Sequence, residues 1–182
     1  MSKGKGKDKR ILRRFDGLKL GWLRDSLFFI AAIAVFVVVF RFVIGLSVVG
    51  GASMDPTLKD GDIVVYFRLA GSYEEGDVAA MRVPSGDFYI KRVAATGGQT
   101  VDVYGGKLHV NGIEVPDEHA NGSTEEETGA VIYPYKVREG NVFVLGDNRG
   151  VSKDSRMFGE VNLRQIKGKV ILRINRQGLT RF

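Results

Sequence analysis

The pattern of hydrophobic and polar positions divides the chain into one long apolar stretch and a later region of short alternating segments. From Leu27 to Phe40 fourteen consecutive residues are apolar, and after Arg41 the apolar character continues to Val49. Fourteen helical residues reach about 21 Å, which is shorter than the ~30 Å hydrocarbon core of a bilayer. We therefore expect a single membrane helix that extends past one end of this stretch.

The two possible extensions differ in where they place Arg41. A helix that runs on to Val49 holds Arg41 near the bilayer midpoint, at a cost of roughly 2.5–3.5 kcal/mol. A helix over residues 22–41 instead places Trp22 and Arg24 at one interface and Arg41 at the other. We favour the second and predict a transmembrane anchor at 22–41.

The segment Phe42–Val49 follows this anchor directly. On the favoured interpretation it emerges as an apolar segment at the outer surface of the membrane. Small residues at Ser47, Gly51 and Ala52 also fit the end of a cleaved signal peptide, which stays the alternative to a permanent anchor.

Charge gives the anchor an orientation. The formal net charge is +6, but residues 1–24 alone carry nine basic and two acidic side chains, a net of +7, so the other 158 residues sum to −1. Because basic flanks are retained in the cytoplasm, we expect a basic cytoplasmic tail at 1–21 and an extracytoplasmic domain at 42–182, in the plasma membrane of the cell. The excess charge is confined to a tail, which is not the pattern of nucleic-acid binding.

Beyond residue 50 the apolar positions alternate with the period of β-strands. Gly105-Gly106 and Asn111-Gly112 are two-residue hairpin signals, and residues 117–130 are polar and acidic, which predicts a long exposed loop. The sequence therefore predicts a mostly β fold, with one N-terminal transmembrane helix, a compact antiparallel β-domain and a small β-hairpin subdomain at about 99–135. Eight segments bounded by Gly, Asp or Asn are predicted as strands: 62–67, 78–83, 88–94, 100–104, 107–110, 113–115, 141–146 and 169–174.

Composition narrows the chemistry. The 182 residues include no cysteine and two histidines, which excludes a thiol nucleophile, a disulfide framework and most metal sites. His109 alternates within a strand and His119 lies in the acidic loop, so a Ser-His-Asp triad is not indicated. A hydrolase of this length then needs a serine, a threonine, a carboxylate or a metal.

A neutral lysine is the remaining way to activate a serine. A free lysine has a pKa of ~10.4, so about one in a thousand is neutral near pH 7.4, and burial is the physical means of lowering that value. Lys91 interrupts an apolar strand and is followed by Arg92. Their side chains alternate between opposite faces, and we expect one of them to be buried.

Two further clusters carry polar side chains in turn-rich sequence. Ser53 lies in the segment 50–58, where glycines precede it and Pro56 follows, which fits a structural turn or a nucleophile whose neighbouring N–H groups face an oxyanion. The segment 146–156 follows a strand directly. It fits an ordinary loop or one that positions polar groups against a lysine.

In this order and behind an N-terminal anchor, these clusters resemble the type I signal peptidases, membrane-bound serine-lysine endopeptidases that remove signal peptides. The similar segments are the nucleophile box 53–58, a strand box 61–65, the general-base box 89–93 and the closing Gly-Asp-Asn…Ser-x-Asp-Ser-Arg box 146–156. The resemblance implies Ser53 as nucleophile, Lys91 as general base and Ser152 as the hydroxyl that orients the lysine amine. It also implies that the closing box is braced through a buried ion pair, by Asp147, Asp154 and Arg156.

The chain departs from the family pattern at two places. Gly51 stands where some members have a serine that adds to the oxyanion hole, so we expect the oxyanion to be stabilised mainly by backbone N–H groups, including that of Ser53. Gly97-Gly98-Gln99 stands where the family often has Pro-Gly-Asp. The insertion before the closing box is short, which implies a reduced second subdomain.

The resemblance implies cleavage of secretory preproteins after Ala-x-Ala sequences, with the lipid bilayer as a second partner and no cofactor, metal or nucleic acid. We expect a monomer. The alternatives are a serine-lysine self-cleaving protease of the repressor type, an accessory protein that assists assembly, and a membrane-tethered β-domain that only binds ligands.

Overall fold

The structure is a computed structural model that describes residues 5–83, 85–116, 118–127 and 131–182, with side chains from residue 21 onward. It contains two compact units that divide between Arg41 and Phe42. Residue 117 and residues 128–130 of the predicted polar loop lie outside the described residues.

The first unit is helical. Helix α1 covers Lys5–Val38 and continues into a π-helical segment, Val39–Val43. Within Gly21–Val43 an 18-residue window has a mean hydropathy of 2.7 and is not buried against protein, and at ~1.5 Å per residue the 23 residues reach about 34 Å. By length and composition this span is enough to cross a bilayer. It extends one residue before and two residues after the predicted anchor at 22–41.

The second unit is built on two antiparallel sheets. The larger has the order β1-β2-β11-β3-β4-β9-β10, with β12 paired to the far half of β11, and the smaller has the order β7-β6-β5-β8. A short helix, α2 (Ser155–Phe158), and a 3₁₀ turn, Leu163–Gln165, complete the unit. The strands, in chain order, are Ile44–Val48 (β1), Ile63–Phe67 (β2), Val78–Arg82 (β3), Phe88–Thr96 (β4), Thr100–Tyr104 (β5), Lys107–Val110 (β6), Ile113–Glu114 (β7), Tyr135–Lys136 (β8), Asn141–Leu145 (β9), Val161–Asn162 (β10), Ile166–Asn175 (β11) and Gly178–Arg181 (β12).

The predicted fold class is confirmed. Each of the eight predicted strands is present, and both hairpin signals form two-residue turns in which the two central residues have positive φ. The apolar segment after the anchor is itself a strand, β1. Strands β8, β10 and β12 were not predicted, because two are only two residues long and the third is exposed along its whole length.

One apolar cluster joins the two sheets. Val101, Val103 and Leu108 of the smaller sheet pack with Phe143 and Leu145 of β9, and all five side chains are buried. The smaller sheet is therefore part of the same core as the strands that carry the polar clusters, and its burial stabilises β9 in place.

A glycine in β1 makes room for a buried ring and gives a test of this packing. A Cβ added at Gly45 would lie 2.1 Å from two carbons of the Tyr66 ring, which is 5 % exposed. We expect Gly45→Ala to destabilise the second unit by about 1–3 kcal/mol, as overpacking does. Thermal unfolding of the full chain in detergent, followed by near-UV circular dichroism, measures this. Gly71→Ala is the control because nothing lies within 4 Å of its added Cβ; equal Tm values for the two variants would contradict the packing described.

Candidate active site

The strand register brings the segment after β9 to Lys91. Arg92 of β4 pairs with Leu145, the last residue of β9, in an antiparallel ladder. Because antiparallel partners run in opposite directions, Lys91, one residue before Arg92, faces Gly146, one residue after Leu145. The segment 146–156, here called the closing loop, therefore begins beside the lysine.

Lys91 is almost fully buried, with 2 % of its surface exposed. Its Nζ donates a hydrogen bond to Ser152 Oγ at 2.9 Å. Burial lowers the pKa of Lys91 from 10.5 to about 8, because the charged form loses its hydration. Among the charged neighbours Asp154 raises this pKa most, while Arg156 lowers it and Asp147 raises it.

Ser53 lies in the connection between β1 and β2, in a turn that its neighbours hold in place. Met54 and Leu58 are buried in the core cluster that β2 shares, and Leu58 N–H donates to Met54 O at 2.8 Å. Ser53 is half-buried, and its carbonyl oxygen accepts a hydrogen bond from Asn148 N–H at 3.0 Å. The turn that carries Ser53 and the closing loop are thus joined next to the Ser53 side chain.

Gly146 leaves the space in which three of the predicted site residues approach one another. A Cβ on Gly146 would lie 2.1 Å from Ser152 Oγ and 2.5 Å from Ser53 O. Since Ser152 Oγ also accepts the hydrogen bond from Lys91, the structure brings Ser53, Lys91 and Ser152 around this one glycine. Ser53 and Lys91, both described residues, are not joined by a hydrogen bond themselves.

Asp147 is fully buried and pairs with Arg92 through two hydrogen bonds. Arg92 Nε donates to Oδ1 at 2.9 Å and Nη2 donates to Oδ2 at 2.7 Å, while Nη1 donates to Gly76 O at 2.8 Å. Arg92 is 9 % exposed, so both members of the Lys91-Arg92 pair are buried, where the alternation indicated one. The ion pair ties the strand that carries the lysine to the start of the closing loop.

Asp154 and Arg156 form the second buried ion pair and close the loop on itself. Arg156 Nε donates to Asp154 Oδ1 at 2.9 Å, and Asp154 Oδ2 accepts from Gly146 N–H at 3.0 Å. Next to them, Ser155 Oγ accepts from Val144 N–H of β9 at 2.9 Å. The two ends of the loop are therefore held against each other and against β9.

The predicted oxyanion region includes a backbone donor without an acceptor. Within the described residues, the backbone N–H of Ser53 has no hydrogen-bond acceptor, so it is available to a ligand. Gly51 donates its own N–H to Asp60 Oδ1 at 2.7 Å and has φ +82°, a conformation that favours glycine. A residue with a side chain would be strained at this position.

Four polar residues at this site had no assigned role in the sequence. Arg92, Arg149 and Ser155 lie inside the matched boxes, so their place beside the predicted residues was a usable signal. Thr124 lies in the acidic loop predicted as exposed, yet it is 3 % exposed and accepts a hydrogen bond from Arg149. No sequence feature marks it.

The histidines lie in other surroundings. His109 is buried in the smaller sheet and stacks on Tyr104 with the ring centres 3.6 Å apart, and His119 is exposed. Among the residues that the structure describes, no group of three or more His, Asp or Glu side chains could hold a metal ion.

Comparison with known proteins identifies the class to which this anchored β-domain with its buried lysine belongs. The family model described as signal peptidase, peptidase S26, matches residues 21–175. Signal peptidase IB of Staphylococcus aureus (strain N315) is 35% identical over 171 residues, covering 82% of this chain and 90% of the relative. Signal peptidase I of Bacillus licheniformis is 32% identical over 153 residues, covering 76% and 81%.

A solved structure is also similar. The crystal structure of a signal peptidase I from Enterococcus faecalis V583 has a TM-score of 0.44 and 26% sequence identity, and covers 54% of this chain and 96% of that one. On the family match and the sequence relatives, the chain belongs to the signal peptidase family, peptidase S26. It is therefore a peptidase of signal-peptide processing, and its N-terminal apolar helix fits a membrane anchor.

Gly146 provides a test of the site's geometry. We expect Gly146→Ala to lower peptidase activity at least about a hundredfold, because a methyl group there would displace Ser152 and the Ser53 backbone by the ~1 Å that such sites do not tolerate. Gly150→Ala is the matched control in the same loop, since nothing lies within 4 Å of its added Cβ. Steady-state cleavage of a preprotein measures both variants, and comparable activities would refute the geometry.

Proposed function

We propose that this chain cleaves N-terminal signal peptides from exported preproteins, with Ser53 as the nucleophile and Lys91 as the general base. The observation that carries the proposal is a lysine with 2 % exposure whose amine, among the described residues, hydrogen-bonds only the hydroxyl of Ser152, beside the turn of a half-buried serine. A lysine held in this way loses much of its preference for the charged form. It can then accept a proton near neutral pH.

In the proposed reaction the Ser53 hydroxyl attacks the scissile carbonyl carbon as neutral Lys91 takes its proton. Protonated Lys91 then donates to the leaving amine, and the acyl group stays on Ser53 Oγ. Water hydrolyses this ester with Lys91 again as the base. The Ser53–Lys91 contact must tighten when substrate binds, as is common for catalytic hydrogen bonds in unliganded enzymes.

Ser152 has a positioning role in this proposal. A neutral amine has two N–H donors and one lone pair, and the bond to Ser152 Oγ uses one of the donors. The direction of the lone pair is thereby restricted. The ion pairs Asp147–Arg92 and Asp154–Arg156 hold the loop that carries Ser152, and we propose them as supporting residues.

The developing oxyanion would be stabilised mainly by the Ser53 N–H, which has no acceptor within the described residues. The Gly51 N–H is directed to Asp60 and would contribute less. For the substrate we propose cleavage after small residues in an Ala-x-Ala pattern, because signal peptides end in such sequences.

We further propose that the N-terminus is cytoplasmic and that the second unit lies outside, against the bilayer. Strand β1 begins at Ile44, directly after Val43, the last residue of the candidate membrane span. One sheet face carries two rows of directly paired residues: Val48, Ile63, Ile174, Leu179 and Leu46, Val65, Leu172, Arg181. Val48, Leu179 and Leu46 are more than half exposed, which fits an apolar face that lies on lipid.

The assignment of the two catalytic residues can be tested directly. We expect Ser53→Ala and Lys91→Met each to abolish cleavage of a labelled preprotein by the purified enzyme, because one removes the nucleophile and the other the base. N-terminal sequencing of the product would place the cut after an Ala-x-Ala sequence. His119→Ala, at an exposed position, should leave the rate unchanged.

Two outcomes would overturn the assignment. Retained cleavage in either catalytic variant would exclude the serine-lysine mechanism. Loss of cleavage in His119→Ala would point to histidine as the base. Thermal unfolding of each variant distinguishes loss of a catalytic group from loss of the folded structure.

The lowered pKa of Lys91 predicts the pH dependence. The base works only when neutral, so kcat/KM should rise about tenfold per pH unit below pH 8 and level off above it. With a pKa of about 8, roughly a tenth of the lysine is neutral at pH 7 and roughly nine tenths at pH 9. A rise in kcat/KM centred instead near pH ~6.5, the pKa of a free histidine, would contradict the proposal.

A further inference from the structure

The acidic segment 118–127, here called the strap, pairs with the closing loop through its backbone. Asn121 N–H donates to Asp147 O at 2.7 Å, and Asn121 O accepts from Arg149 N–H at 2.9 Å. Together these bonds form a parallel bridge between Asn121 and Asn148. The strap thus adds to the loop as a short strand would.

On its other side the same stretch of the loop holds the nucleophile turn. Asn148 N–H donates to Ser53 O at 3.0 Å. Asn148 is therefore fixed between Asn121 of the strap and the backbone of Ser53. Any movement of the strap changes a support of the loop directly opposite the proposed nucleophile.

Buried side chains make a second series of hydrogen bonds between the strap and the loop. Thr124 is 3 % exposed, and its Oγ1 accepts a hydrogen bond from Arg149 Nη1. The same guanidinium donates from Nε to Gly146 O at 2.9 Å. One arginine therefore connects Thr124 to the glycine around which Ser53 and Ser152 meet.

The strap is itself anchored to the smaller sheet. Thr124 N–H donates to Gly106 O, in the turn between β5 and β6, at 2.9 Å. The approach is close, since a Cβ on Gly106 would lie 2.4 Å from Ser123 Oγ. At the far end of the loop, Arg156 Nη1 donates to Glu125 O at 3.2 Å. The strap therefore bridges a rigid hairpin and both ends of the closing loop.

We infer that the strap fixes the closing loop in its reactive arrangement and that Thr124 is a positioning residue of the reaction, acting through Arg149 on Gly146. This inference rests on the proposed function, because it takes Ser53 and Ser152 to belong to the reacting centre. Thr124 is buried and is separated from the proposed nucleophile by Arg149 and Gly146. Its effect should therefore fall on the rate of the chemical step and not on substrate binding.

The kinetic test compares two substitutions at one position. Thr124→Val keeps the shape but removes the acceptor for a charged donor, and we expect kcat to fall about tenfold with KM changed less than about twofold. Thr124→Ser keeps the hydroxyl and should restore kcat to near the parent value. Ser123→Ala, which removes a neighbouring exposed hydroxyl that contacts the hairpin, should change neither constant. Equal kcat values for Thr124→Val and Thr124→Ser would overturn the inference.

A second measurement does not depend on activity. Hydrogen exchange is compared between Ser53→Ala and the double variant Ser53→Ala/Thr124→Val, both in the full chain. We expect faster exchange in the peptide that covers 146–152 and unchanged exchange in β3. Unchanged protection of 146–152 would refute the role of the strap, whereas cleavage by Ser53→Ala itself would refute the proposed function and leave the exchange result standing.

Discussion

The whole site depends on keeping an amine out of water. Lys91 sits on a strand between two others, and 2 % of its surface is exposed, so its charged form has lost most of its hydration. Two nearby carboxylates, Asp147 and Asp154, already raise the pKa of Lys91. If either were unpaired, it would favour the charged form of the lysine. Each is instead bonded to an arginine, Arg92 or Arg156, which offsets its negative charge. The buried ion pairs therefore serve the lysine as well as the loop.

The cost of burying two ion pairs explains why the closing loop makes so many further hydrogen bonds. A buried ion pair stabilises a fold weakly at best, because the desolvation of both charges offsets their attraction, and breaking one leaves a charge without compensation. Here each acidic residue has a further structural link: the backbone carbonyl of Asp147 accepts from Asn121 N–H of the strap, and Asp154 Oδ2 accepts from Gly146 N–H. The pairs thus specify one loop conformation, in which the absence of a side chain at Gly146 lets the turn that carries Ser53 approach Ser152.

Much of this could be predicted from the sequence, and the rest could not for identifiable reasons. Alternation located the eight predicted strands, and Gly105-Gly106 and Asn111-Gly112 located the hairpins, because these signals are local. The meeting of Lys91 with Ser152, 61 residues apart, depends on the register of β4 against β9, which alternation does not determine; the matched boxes supplied it. Thr124 escaped detection because an acidic, turn-rich segment predicts exposure, and its burial follows from a contact with Arg149 that no local pattern encodes.

The smaller sheet gains a role from these contacts. A short hairpin appended to a catalytic domain could serve only to cover apolar surface, and Val101 and Leu108 do share a core with Leu145. Yet the turn of that hairpin also holds Thr124, and Leu145 is the residue from which the closing loop departs. Packing and hydrogen bonding therefore fix the loop from two directions, one at its first residue and one along its outer backbone. Because interiors are close-packed and transmit strain, we expect the geometry at Lys91 to depend on a sheet that contributes none of the proposed catalytic groups.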